Sequence, residues 1–482
     1  MLSDYEMVIG LETHVELKTR TKAFCACANV YGAEPNAHVC PVCMGLPGAL
    51  PVLGDQTRRL AVTAGLALGC SIQPVSRFDR KNYFYPDLPK AYQITQFYHP
   101  LCLGGGVEIV TPAGQKRIGI TRIHIEEDAG KLTHQPGGET LLDMNRCGVP
   151  LIEIVTEPDI GAAQEAVAYL KKLRSILVAA GVSDCRMNEG SLRCDVNLSL
   201  HKPGAPLGVR TEMKNLNSFQ SVEKAICAEA LRQAALLDAG QNVCQETRRY
   251  DQKTGQTYGM RRKENSADYR YFPEPDLRDV LVTEEEIAAL SAALPPLPDE
   301  RSRLFQQRFG LSAYAADQLA AERWLADIYQ QAAALAQSPK ALANLILGEC
   351  FAQIALRDAG RAGDRGAGCL PILPEHLAAL SNLMEAGRLS STAGKKVLAA
   401  LFDADCDPET YAREHDLFLL TDETALQSLA HKVIAQQSAL VQAYRGGKTA
   451  VLQALIGKGM ALSRGRADPE KLAALLEKAL NG

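Results

Sequence analysis

Glu12, His14 and Glu16 occupy alternate positions in the run Val8 to Leu17, where Ile9, Leu11, Val15 and Leu17, with Thr13 among them, fill the other parity. Side chains on a β-strand alternate between its faces, so the pattern predicts a core face and a face carrying two carboxylates and an imidazole. Related segments follow. Ile118, Ile120, Ile123 and Ile125 lead into His124-Ile125-Glu126-Glu127-Asp128, and Glu153 interrupts the apolar run Leu151 to Val155. Arg193, Asp195 and Asn197 alternate with Leu192, Cys194, Val196 and Leu198. A carboxylate inside an apolar strand is costly unless it is paired or metal-bound. Four strands could thus offer acids to one side of a sheet. A carboxylate-rich set with one His and no thiolate suits Mg²⁺ or Mn²⁺ better than Zn²⁺.

Zinc is indicated elsewhere. Cys25-Ala26-Cys27 is followed after twelve residues by Cys40-Pro41-Val42-Cys43, two close pairs with the spacing of a tetrahedral four-thiolate site. All four positions would be filled by protein, so this metal would be structural. The remaining ten of the fourteen cysteines are scattered singly, as expected of buried reduced thiols.

Two segments interleave aromatic with basic residues: Asp79 to Gln93, which contains Lys81, Tyr83, Lys90 and Tyr92, and Asp268 to Asp276, which contains Tyr269, Arg270 and Tyr271. Rings that stack on bases beside cations that meet phosphates suit a nucleotide or a single-stranded RNA end. Between them, Arg248-Arg249 and Arg261-Arg262-Lys263 flank Lys253-Thr254-Gly255, a predicted hairpin with a basic face. There is no P-loop, since Gly447-Lys448-Thr449 has Gln442 where the first glycine belongs, and no G-x-S-x-G elbow for amide hydrolysis.

The elements that must position these residues follow from length and pattern. A chain of 482 residues exceeds one core. Residues 1–295 read as α+β: a mostly antiparallel sheet, hairpins such as Val107 to Val110 turning at Pro112-Ala113-Gly114, and amphipathic helices over 162–180 and 219–239, each stopped by a glycine, Gly181 or Gly240. Leu294-Pro295-Pro296-Leu297-Pro298 marks a boundary, after which strand signals vanish. Residues 296–406 predict an all-α domain with a glycine-rich loop at 360–368, and 407–482 a small helical tail domain. The composition, 46% hydrophobic and 22% charged, excludes neither domain from water, and no segment is long and apolar enough to span a bilayer. With no basic-then-apolar leader, a cytoplasmic protein is expected. Residues 441–482 carry seven Lys or Arg against three acids, a balance of +4 in a chain of net charge -4. A basic tail on an acidic body suits nucleic acid.

Taken in order, Val8 to Leu17, Asp79 to Gln93, His124 to Lys131, Asp143 to Arg146, Leu151 to Asp159, Glu189 to Asp195, Glu212 to Phe219 and Asp268 to Asp276 resemble the B subunits of tRNA-dependent aspartyl/glutamyl amidotransferases, and the likeness continues more loosely into the helical tail. The resemblance implies a catalytic cradle, a helical domain and a tail domain that holds the tRNA body. It implies ATP-dependent phosphorylation of the side-chain carboxylate of Glu or Asp esterified to tRNA, then displacement of phosphate by ammonia. The ammonia would come from a partner amidase subunit, with a small third subunit steadying the pair. Carried onto this chain, it suggests His14, Glu127 and Glu153 as Mg²⁺ ligands, with Glu12, Glu126 and Asp195 nearby for a second ion or for orientation. It offers Lys81, Tyr83, Lys90 and Tyr92 as contacts to ATP or the tRNA 3′ end, and Cys25, Cys27, Cys40 and Cys43 as ligands of structural Zn²⁺. Between Glu12 and Glu16 the pattern does not choose. The competing expectation is a non-catalytic tRNA-binding scaffold, which explains the cysteines and the tail but leaves the acids on four strands without a purpose.

Overall fold

The computed structural model describes residues 2–112, 114–262, 266–358, 370–420, 422–463 and 465–481. Ala113 of the expected turn, Lys263 of the basic hairpin, the glycine-rich loop at 360–368 and Arg464 of the tail lie outside them. The chain forms two compact units, Met1–Leu297 and Pro298–Gly482.

The first unit begins with β1 (Glu6–Glu16), followed by helix α1 (Asp55–Ala67) and the short strands β2 (Asp79–Asn82) and β3 (Tyr92–Thr95). A hairpin of β4 (Gly106–Thr111) and β5 (Gly114–Glu127) leads to β6 (Pro150–Thr156), α2 (Ala163–Ala179), β7 (Leu192–His201) and β8 (Thr211–Leu216). Helix α3 (Phe219–Asp238) then precedes the hairpin of β9 (Glu246–Asp251) and β10 (Gln256–Arg262). The main sheet runs β10-β9-β8-β7-β1-β6-β5, continued at its far edge by Cys102–Leu103 and Ser71–Ile72, with β4 also paired to β5. Every pairing is antiparallel except that of β8 with β9. This is the α+β architecture that the pattern predicts.

One core holds the unit together. Ile9, Leu11, Val15, Ile123, Ile125, Ile152, Ile154, Val196 and Leu198 on the back of the sheet pack with Leu170, Leu173 and Leu177 of α2 and Val222 and Ile226 of α3. Each such side chain contributes about 1.5–3 kcal/mol on full burial, so a one-residue slip, which would turn Glu12, His14, Glu153 and Asp195 against the helices, is excluded many times over. The glycine stops are also in place: Gly181 and Gly240 take φ of +72° and +69° just beyond α2 and α3, a conformation that a Cβ disfavours.

The second unit is helical, with two core clusters. One joins Phe305, Tyr329, Leu342, Leu377, Leu398 and Ala412; the other joins Leu426, Val433, Leu455, Leu472, Leu476 and Leu480. No described helix is long and apolar enough to cross a membrane.

Candidate active site and cysteine centre

Register across the sheet assembles the acids. His14 pairs with Glu153 on one side and Arg193 on the other, while Glu153 pairs with His124, so four polar side chains line up across β5, β6, β1 and β7. Glu12 faces Asp195 one step along, and Asn197 faces Glu212 of β8. Two groups of ligand atoms result. Those of His14, Glu126 and Glu153 lie within 4.8 Å of one another, and so do those of Glu12, Asp195 and Glu212. All six residues border one cavity of about 660 Å³.

His14 Nε2 sits 3.5 Å from Glu126 and 3.4 Å from Glu153. Burial disfavours its charged form, but the hydrogen bond to Glu153 and the charges of Glu126, Glu153 and Asp195 outweigh it, raising the pKa to about 9. Burial likewise works against the Glu153 carboxylate, yet His124, His14 and Lys81 hold it well below the usual range. The ring of His124 is buried, with Nε2 3.7 Å from Glu126 and 3.6 Å from Glu153, and its Nδ1 has no hydrogen-bond partner. Two carboxylates meeting at two imidazoles fit a divalent cation, whose charge would replace the proton on His14. In the second group, Lys214 pairs with Asp195 and lies 3.1 Å from Glu212, while Asn197 Nδ2 donates to Glu12 at 2.9 Å.

The opposite wall is aromatic and cationic. The segments around Tyr83 and Tyr269 come together because Phe272–Pro273 pairs with β2 and Arg80 grips Glu274 through two nitrogens, at 2.7 and 2.9 Å. Lys81 Nζ lies 5.0 Å from the ring centre of Tyr269, and Phe97 stacks on Tyr271 at 4.0 Å. Burial opposes the Lys81 charge, but the phenols of Tyr271 and Tyr83 and the carboxylates of Glu126 and Glu153 raise its pKa overall.

Two expectations are corrected by strand geometry. Glu127 does not join His14 and Glu153. Adjacent residues of β5 face opposite ways, so Glu126 enters the acidic group while Glu127 points to the inner side, where it pairs with Lys90 and accepts the Ile94 amide at 2.9 Å. Lys90 and Tyr92 go with it: both line a separate cavity of about 120 Å³ with Cys43, Gly45 and Gly148. Lys81 and Tyr83 alone of the four loop candidates reach the acidic cavity. Glu16 is apart from both ligand groups, its carboxyl pushed up by burial and by Asp128. His124, Glu212 and Lys214 belong to the site although sequence reasoning misses them. A signal for the first is present: the isoleucines slip phase between Ile120 and Ile123, where a bulge opposite Val155 and Thr156 resets the faces, so that Arg122, His124 and Glu126 share the polar side.

The cysteines converge. The sulfurs of Cys25, Cys27, Cys40 and Cys43 all lie within 4.8 Å of one another, a spread that accommodates a tetrahedral site with Zn–S bonds of about 2.3 Å. All four are free thiols, and Cys43 is buried. The Cys43 thiol is pulled down, first by the hydrogen bond from Cys25, with the Cys40 amide and the Lys22 charge adding to it against burial. Three half-buried sulfurs around a buried one, with donors aimed at the last, fit a thiolate-bound metal.

Comparison with known proteins covers nearly the whole chain. Residues 7–288 match the family model of the GatB/GatE catalytic domain, and residues 327–480 that of the GatB domain. The chain is 47% identical over 481 residues to the aspartyl/glutamyl-tRNA(Asn/Gln) amidotransferase B subunit of Nitratidesulfovibrio vulgaris strain DP4, covering 99% of this chain and 100% of that one. It is 46% identical over 484 residues to the B subunit of Carboxydothermus hydrogenoformans and 44% identical over 479 residues to that of Lachnoclostridium phytofermentans, each alignment covering 99% of both chains.

Proposed function

Since the chain belongs to the family of aspartyl/glutamyl-tRNA(Asn/Gln) amidotransferase B subunits, we propose that its acidic cavity phosphorylates the side-chain carboxylate of Glu or Asp on a misacylated tRNA and converts it to the amide. The γ-phosphoryl group of ATP passes to a carboxylate oxygen, giving an acyl phosphate and ADP. Ammonia then attacks the acyl carbon, and inorganic phosphate leaves. A free carboxylate would have to expel oxide or hydroxide, so the phosphoryl step supplies the leaving group.

The residues divide this work. His14, Glu126 and Glu153 would hold one Mg²⁺, and Glu12, Asp195 and Glu212 a second. When bound, the metal neutralises phosphate oxygens so that an anionic nucleophile can approach. Lys81 and Lys214, each beside one acid group, meet phosphate or substrate carboxylate. The faces of Tyr83, Tyr269 and Tyr271 offer stacking to the adenine of ATP or to the terminal adenosine of tRNA. Cys25, Cys27, Cys40 and Cys43 would hold one structural Zn²⁺ that leaves no position open for catalysis.

No amidase motif is present, which supports ammonia delivered by a partner amidase subunit, with a small third subunit in the assembly and tRNA held in part by the tail. Work on tRNA implies a cytoplasmic protein. The observation that carries this reading is the pair of ligand groups, drawn from five neighbouring strands onto one face of one cavity. The test is phosphoryl transfer from labelled ATP in the complex assembled with its amidase. Asp195→Asn should lose tRNA-dependent transfer while glutamine hydrolysis continues, and normal transfer in that variant would overturn the assignment.

A further inference from the structure

Lys22 is among the largest fully buried side chains of the protein, at 0% exposure. Its ammonium touches two acceptors, the Met144 carbonyl at 3.3 Å and the Cys43 sulfur at 3.6 Å. Among the described residues no carboxylate pairs with it, whereas the neighbouring buried Lys90 has Glu127. A buried ammonium is strongly unfavourable without an anion beside it, and the Met144 carbonyl carries no charge, so the balancing charge must come through the Cys43 sulfur. The anion it lacks is what the cysteine centre would provide: four thiolates around Zn²⁺ carry a net charge of -2.

The local backbone holds this arrangement. The Lys22 amide donates to the Cys27 carbonyl at 2.9 Å, so the lysine and the first cysteine pair move together. The Cys40 amide donates to Cys43 Sγ at 3.2 Å, and the Cys147 thiol donates to the Cys43 carbonyl at 3.2 Å. Cys43 is therefore the sulfur that receives both a backbone donor and the ammonium, and it is also the buried one.

We propose that Lys22 is the counter-ion of the zinc tetrathiolate, bonded to it through Cys43, so that zinc binding and burial of Lys22 stabilise each other. This rests on the reading of the four cysteines as a zinc site. By reciprocity, removing the ammonium must weaken zinc, and removing zinc must leave Lys22 destabilising. The role is one of positioning and charge balance, since Lys22 does not reach the acidic cavity.

The experiment uses the full chain and two readouts, zinc retention against a competing chelator and thermal stability. Elemental analysis of the wild type comes first; absence of zinc there sinks the zinc reading itself, independently of Lys22. With zinc present, Lys22→Met should weaken its retention about 10- to 100-fold, as expected for loss of a charge-assisted hydrogen bond. Lys22→Gln, which keeps a donor without charge, should fall between. With zinc stripped from both by the chelator, Cys43→Asp, which keeps an anion for Lys22, should be more stable than Cys43→Ser. Introduced into Cys43→Ser, Lys22→Met should stabilise instead of destabilising. Unchanged zinc retention in Lys22→Met, or equal stability loss from Lys22→Met in the wild-type and Cys43→Ser backgrounds, would overturn the proposal.

Discussion

Glu126 and Glu127 are adjacent in sequence and must fail differently when each is changed to Gln. Glu127 and Lys90 have side chains exposed by only 3% and 8%. Glu127→Gln removes the anion and leaves the ammonium buried; breaking a buried pair from one side costs about 3–5 kcal/mol. In a unit of this size each kcal/mol shifts the midpoint by roughly 2 °C, so a fall of about 6–10 °C is expected. Replacing both partners, as Lys90→Met with Glu127→Leu, removes the stranded charge and should recover most of the loss. Glu126 contacts His14 and His124 and shares its surroundings with Glu153, so without metal its neutralisation trades attraction for relief of repulsion and should move the midpoint little. With Mg²⁺ the order reverses. At ligand distance a carboxylate and a divalent ion attract by several kcal/mol even at an effective dielectric near 20, so Glu126→Gln should lower Mg²⁺ affinity at least about 100-fold. Thermal scans with and without Mg²⁺, combined with the Mg²⁺ dependence of phosphoryl transfer, read both effects. Glu127→Gln with unchanged stability and lost Mg²⁺ response, or Glu126→Gln with a normal one, would refute the strand-face argument.

Purified protein should carry about one zinc, and Cys25→Ser or Cys43→Ser should lose it and lower the melting temperature of the first unit; elemental analysis showing no zinc, with the four native thiols titrating freely, would count against the site. Glu229, fully buried, accepts from Arg232, Thr257 and Thr211, and these partners outweigh burial to hold its carboxyl low. Its contribution is therefore present above the ordinary carboxyl pKa and lost as pH falls through the depressed one, so Glu229→Gln should be destabilising at pH 7 and converge on the wild type in acid; denaturant midpoints across pH decide it. Arg445, Lys448, Lys458, Lys471 and Lys478 are exposed on the tail, whereas deleting 441–482 would strip Leu426 and Val433 of their core partners. Neutralising these five should reduce the salt dependence of tRNA binding by about 0.7–0.9 per lost phosphate contact, and parallel salt plots of equal affinity would remove the tail from recognition.

Much of this is legible in the chain because the main determinant is local. Period-two alternation in 8–17 and 192–198 places Glu12, His14 and Asp195 on one face, and the cysteine spacing announces a four-sulfur cluster. Helix limits at Gly181 and Gly240 follow from the need for positive φ. What escapes is non-local. Neither the meeting of Tyr83 with Tyr269 nor the partition of Lys81 from Lys90 is encoded in spacing: the first depends on the pairing of β2 with Phe272–Pro273, some 190 residues away, and the second on the ion pair of Lys90 with Glu127 of β5. The Glu127 assignment fails for a different reason: three consecutive acids look like one ligand cluster, although a strand cannot aim neighbours the same way.

That failure explains how one strand serves two sites. At the end of β5 the chain is buried on both sides, and each side demands compensation for a carboxylate. On the outer face Glu126 finds imidazoles and, in the proposed reaction, a divalent ion. On the inner face Glu127 finds Lys90, beside the cavity wall formed by Cys43. Lys22, which touches Cys43, repeats the logic with the charge of the proposed cysteine centre in place of a carboxylate. Charge balance therefore alternates across β5, Glu126 against His14 and His124 on one face and Glu127 against Lys90 on the other. A neutral substitution at Glu126 or Glu127 should then be felt at its immediate partner first and at the other face of β5 much less, since the two carboxylates share no ion-pair partner.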